Sequence, residues 1–139
     1  MDLDIQLTSQ AIQELCPAPA PAAATVGAWV EFRGIVRAEE SGRTIAALEY
    51  EAYSPMAEKE MRRILNDLCV SHSCLAAKVI HRVGVIPAGE AAIYVGIAAR
   101  HRKAAFGLLD EFMDRLKEDV PIWKCRALNL EELEEFRKQ

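Results

Sequence analysis

The chain has 139 residues, a mass of 15.5 kDa and a formal net charge of −4. That length suits one domain, 1–139, with a real core. The negative balance disfavours a generic nucleic-acid binder, so any anion site must be local. Met1 to Ile5 lacks a basic region followed by an apolar run, which predicts no signal peptide and a cytoplasmic location. No apolar stretch is long enough to span a bilayer, so no membrane partner is expected.

Leu3, Ile5 and Leu7 alternate with Asp4 and Gln6, the pattern of a half-buried strand. Thr8 or Ser9 is placed to cap a short helix through Leu15. The Pro/Ala stretch from Cys16 to Ala24 reads as an extended surface connector. Gly27 to Arg37 alternates as a long strand, and Gly34 inside it suggests a bulge or a close backbone approach. Residues 38–43 are polar and read as a mobile loop. Thr44 to Tyr53 returns as a strand, so the two strands are expected to form a hairpin.

Ser54-Pro55 opens a helix, with Ser54 as N-cap and Met56, Met61, Ile64, Leu65 and Leu68 as its apolar stripe. Ala76 to Val83 reads as a strand, Gly84 to Glu90 as a turn, and Ala91 to Ala99 as a strongly apolar, central strand. A helix follows from about Lys103 to Glu118, with Phe106, Leu109, Met113 and Leu116 toward the core. Pro121 ends it, because proline lacks an N–H and disfavours helix at Val120. An extended segment comes next, and Leu130 to Phe136 forms a short helix in an acidic tail, about 129–139. Strands adjacent in sequence with interspersed helices indicate an α+β fold, mainly antiparallel.

The chemistry gathers around the Pro121 break. Lys117 and Lys124 lie seven positions apart, one on each side of it, and a turn there brings both amines to one pocket. In a regular strand Ile122, Lys124 and Arg126 share one face, opposite Trp123, Cys125 and Ala127. With Trp123 anchored in the core, Lys124 and Arg126 point into the cleft and Cys125 is a packed thiol. Arg100, His101, Arg102 and Lys103 stand where a strand hands over to a helix; three cations at a helix N-terminus imply an anionic partner or solvent exposure. Arg37 ends a strand and has the donor geometry phosphate needs. Cys16, Cys69, Cys74 and Cys125 form no C-x-x-C pair, so reduced thiols are expected rather than a structural metal.

Seven pieces of the sequence, in order, resemble the MoaE family, the large catalytic subunits of molybdopterin synthase. They are Phe32-Arg33-Gly34-Ile35-Val36-Arg37; Leu48 to Tyr53 with Met56 to Lys59; His81-Arg82-Val83-Gly84; Gly89-Glu90; His101-Arg102 with Ala105-Phe106; Leu116-Lys117; and Pro121-Ile122-Trp123-Lys124. The resemblance implies an α/β-hammerhead-like fold with an additional small antiparallel sheet. It implies a sulfurtransferase of molybdenum cofactor biosynthesis that converts cyclic pyranopterin monophosphate (precursor Z) to molybdopterin. Sulfur comes from the C-terminal Gly-Gly thiocarboxylate of a small ubiquitin-like subunit, and the large subunits form a homodimer within a heterotetramer. Matched by position, Lys117 and Lys124 are the catalytic lysines. Arg37, His101 and Arg102 bind the substrate's anion, the last two across the dimer. No metal or other cofactor is implied. The chain departs from many members after Trp123-Lys124, where Cys125 and Arg126 replace a basic residue and a glutamate. Two readings from other classes stay open: a non-catalytic dimeric binding module for a phosphorylated metabolite, and a protein that recognises a ubiquitin-like tail without turnover.

Overall fold

The computed structural model describes residues 2–15 and 24–139, so most of the predicted Pro/Ala connector, together with Cys16, lies outside the described residues. In chain order the elements are β1 (Asp2–Thr8), a 3₁₀ turn (Ile12–Leu15), β2 (Ala28–Ile35), β3 (Glu39–Glu40), β4 (Arg43–Thr44), β5 (Ala47–Ala52), α1 (Met56–His72), β6 (Cys74–Arg82), β7 (Gly84–Pro87), β8 (Ala91–Ala99), α2 (Arg102–Asp119), β9 (Ile122–Leu128) and α3 (Leu130–Arg137). The fold is α+β with mainly antiparallel sheets. A four-stranded sheet has the order β1-β6-β8-β2, a three-stranded sheet the order β7-β5-β9, and β3-β4 form a small ribbon. β1 runs parallel to β6; every other pairing is antiparallel.

β8 occupies the centre of the large sheet, as its composition demands. All nine of its residues are buried. Ile93, Val95 and Ile97 meet α1 and α2 through Met61, Ile64, Leu65, Leu68, Leu108 and Phe112. On the opposite face Tyr94 packs with Ile12 and Ile80, and Ala92 meets Leu48 and Ile86 of the second sheet. A strand covered on both faces loses hydropathic alternation, which is why it reads as a continuous apolar run. Each fully buried aliphatic side chain contributes about 1.5–3 kcal/mol.

Several expectations are corrected. β2 and β5 do not form a hairpin. β2 pairs with β8, and β5 pairs with β7 and β9 in the other sheet. The segment read as one turn, 84–90, begins with strand β7. Ser54 is not the cap of α1. Pro55 takes that position, while the Ser54 hydroxyl donates to the Glu58 carboxylate at 2.8 Å. Residue Met56 of the proposed stripe is exposed, whereas Met61, Ile64, Leu65 and Leu68 are buried. In α2 the buried line is Ala105, Leu108, Phe112 and Leu116; Phe106 is 57% exposed. That helix is apolar over a wide arc, and its packing against α1 and the sheet selects which side faces inward. The tail helix forms as expected, held by a reciprocal capping box between Asn129 and Glu132.

Candidate active site

The two sheets and the C-terminal end of α2 enclose a cavity of about 520 Å³, within the range that takes a small molecule. Its first wall comes from β2. The pairing of β2 with β8 shifts between Gly34 and Ile35. A Cβ on Gly34 would stand 2.8 Å from Ile93 Cγ2, so the close approach itself demands glycine. Beyond the bulge Val36 is buried, while Ile35 and Arg37 are exposed at the cavity. Backbone bonds Val36 N–H to Glu90 O (3.0 Å) and Gly89 N–H to Val36 O (2.8 Å) fix the segment that carries Arg37.

Residues 38–43, expected to be mobile, fold into the β3-β4 ribbon. Ser41 and Gly42 both have positive φ, 52° and 78°, between the paired residues Glu40 and Arg43. This is the two-residue turn whose twist matches that of antiparallel strands. The ribbon places Glu40 at the cavity, where its carboxylate accepts from Lys124 Nζ at 3.2 Å.

Lys117 stands in the last turn of α2, where the helix dipole favours a cation. Val120 leaves helical geometry, Pro121 O accepts from Tyr53 N–H at 3.0 Å, and β9 begins at Ile122. The proline break therefore does bring Lys117 and Lys124 to one cavity.

β9 does not keep the regular alternation. Its pairing with β5 slips between Glu49 and Tyr50: Glu49 opposes Arg126, yet Tyr50 opposes Lys124, leaving Cys125 as the extra residue of a bulge. Neighbours on β5 point to opposite faces, so Lys124 and Arg126 do too. Lys124 joins Tyr50 at the cavity. Arg126 Nε donates to Glu49 Oε1 at 2.7 Å and borders a separate hollow beside Glu131, Glu132 and Glu135. The shared face expected for Lys124 and Arg126 is thus overturned. So is the anchoring of Trp123, which is 45% exposed and forms part of the cavity's lining. Cys125 is exposed rather than packed. Desolvation, then the hydrogen bond and charge of Glu51, push its thiol up, away from the thiolate a nucleophile needs.

Three cations line the cavity (Arg37, Lys117 and Lys124) against one carboxylate, Glu40. The cavity is thus locally cationic in a chain of net charge −4, which favours an anion over a neutral or cationic occupant. Arg37 and Lys117 make no ion pair with any described residue. His101 and Arg102, by contrast, do not line it. They stand at the start of α2, about 22 Å of helix from Lys117.

Three lining residues carried no role in the sequence reading. Glu40 sat in a featureless polar stretch. Tyr50 lies between Lys124 and His81, and burial pushes its phenol up, with Lys124 opposing. His81 is 5% exposed on β6, where burial on both sheet faces hid the direction of any one side chain.

The fold is α+β, and its cavity, of small-molecule size, is lined by two lysines and an arginine. Residues 3–119 match the family model described as MoaE protein, and the chain belongs to that family. Over 98 residues it is 40% identical to the human molybdopterin synthase catalytic subunit, covering 70% of this chain and 52% of that relative. It is 41% identical over 100 residues to the Pyrococcus abyssi subunit of the same name, covering 72% and 68%. A solved structure of molybdopterin synthase from Staphylococcus aureus superposes with a TM-score of 0.78 at 32% identity, covering 85% of this chain and 86% of that one. The chain spans about half the length of the human and rice relatives it matches.

Proposed function

We propose that this chain is the catalytic subunit of a molybdopterin synthase, converting cyclic pyranopterin monophosphate to molybdopterin with sulfur from a partner's C-terminal thiocarboxylate. The observation that carries the reading is the convergence of Arg37, Lys117 and Lys124 on one cavity of small-molecule size. Arg37 supplies a planar donor pair for the phosphate. In each transfer the thiocarboxylate sulfur bonds to a side-chain carbon of the pterin as that carbon's bond to oxygen breaks, the oxygen leaving as water or staying on the opened phosphate ester. Water then cleaves the acyl–sulfur bond, and the partner's tail leaves as a carboxylate. Lys117 stabilises the oxyanion at that acyl carbon and moves protons, and Lys124 positions the substrate.

Exposed Ile35 and Trp123 at the cavity suit docking of an extended tail, whose glycines allow close backbone approach. His101 and Arg102 reach a cavity only from a second copy of the chain, so the proposed site is shared across a homodimer. Lys117→Ala is expected to lower turnover at least about 100-fold in a reconstituted assay with thiocarboxylated partner, with the folded dimer retained. Undiminished turnover would exclude the assignment. Normal binding of the pterin phosphate by wild type with no sulfur transfer would favour the binding-module reading instead.

A further inference from the structure

His81 belongs to the cavity but to none of the roles above. It lies one residue from the end of β6, where the chain leaves the large sheet for the small one. The ring is almost wholly buried, and Tyr50 meets it edge-on, with centroids 5.5 Å apart and planes at 62°. Its Nδ1 is 2.8 Å from the backbone oxygen of Arg82. A carbonyl oxygen only accepts, so Nδ1 carries the proton and Nε2 is left with its lone pair. Burial lowers the ring's basicity, which keeps it neutral at neutral pH. Nε2 has no hydrogen-bond partner among the described residues and is not one of the sealed, unpaired polar atoms of the interior. The cavity is the space its ring lines.

Of the other polar side chains there, Arg37, Lys117, Lys124 and Trp123 only donate, the Tyr50 hydroxyl can donate or accept, and the carboxylate of Glu40 already accepts from Lys124. An anion satisfies the donors, but it offers nothing to a neutral acceptor. We infer that His81 Nε2 is a specificity-determining acceptor for a ring N–H or hydroxyl of the ligand, distinct from its phosphate. The cations hold the charge, and His81 selects a donor-bearing heterocycle. A rigid acceptor that is desolvated by the ligand discriminates strongly, because a ligand without the donor leaves it unpaired.

This inference rests on the proposed pterin substrate, and its test separates the two. Calorimetric titration of wild type, His81→Leu and His81→Gln uses two probes, cyclic pyranopterin monophosphate and inorganic phosphate. Leucine removes the acceptor; glutamine keeps an oxygen near the position of Nε2. The expected result is at least about a 10-fold loss of pterin phosphate affinity in His81→Leu. Phosphate affinity should be unchanged, with recovery to within about 3-fold in His81→Gln. Equal affinity in His81→Leu, a parallel loss for both probes, or glutamine no better than leucine would overturn the role of His81 alone. Failure of wild type to bind the pterin phosphate would overturn the functional reading and this inference with it. The ¹⁵N spectrum of wild-type His81 serves if the leucine variant does not fold. It should show the Nδ1–H tautomer and an Nε2 resonance that moves with the pterin phosphate but not with phosphate; an Nε2–H tautomer or an unmoved resonance would refute the inference.

Discussion

For the anion binding proposed above, Glu40 sets a measurable limit on affinity. Its carboxylate holds Lys124 Nζ at 3.2 Å, with the lysine side chain 47% exposed and the glutamate 29% exposed. A partly exposed pair of this kind is worth about 0.2–1 kcal/mol. An incoming phosphate that recruits Lys124 must give up that amount, and it also meets the like charge of Glu40. Glu40→Gln removes both penalties while keeping side-chain length and the ribbon pairing with Arg43. Releasing the pair alone corresponds to roughly a 1.4- to 5-fold gain in phosphate affinity. Isothermal titration of the pterin phosphate at low and high salt provides the assay, and the gain should shrink as salt screens the pair. Glu39→Gln is the control, since Glu39 makes no ion pair with any described residue. Unchanged or weaker binding in Glu40→Gln, or an equal gain in Glu39→Gln, would refute the reasoning.

Two further experiments probe the assembly and the core. If Arg102 completes the site of a second copy, mixing inactive Lys117→Ala and Arg102→Ala chains should regenerate about a quarter of wild-type activity, because half the dimers are mixed and each has one intact site. No recovery would confine Arg102 to its own chain. In the core, a Cβ on Gly96 would lie 2.5 Å from Trp29 Cη2. Gly96→Ala should therefore cost about 1–3 kcal/mol in urea unfolding. The cost should largely disappear in a Trp29→Ala background; an equal cost in both backgrounds would show that the indole is not the obstacle.

Local features of the site and fold were legible where local chemistry dominates. The apolar run Ala91–Ala99 announced a central strand, Pro121 announced a break between two lysines, and Gly34 announced the bulge that its own missing Cβ permits. The seven family pieces, read together, also pointed to Arg37, Lys117 and Lys124, which do meet in one cavity. His101 and Arg102 came from the same resemblance, and within one chain they stand at the far end of α2.

What the amino-acid order determined by itself was element type, the proline break and the residues able to hold an anion. Each follows from backbone sterics, periodicity or side-chain chemistry within a few neighbours. Only the tertiary structure decided that β2 joins β8 rather than β5, that Glu40 swings onto Lys124, and that Trp123 stays at the surface. It also decided the direction of Arg126. A single unpaired residue, Cys125, shifts the face of everything beyond it, and whether a bulge forms there depends on how β9 registers against β5. Register is a contract between strands about 75 residues apart in sequence, set by which side chains each face can bury, and periodicity within either strand does not contain it.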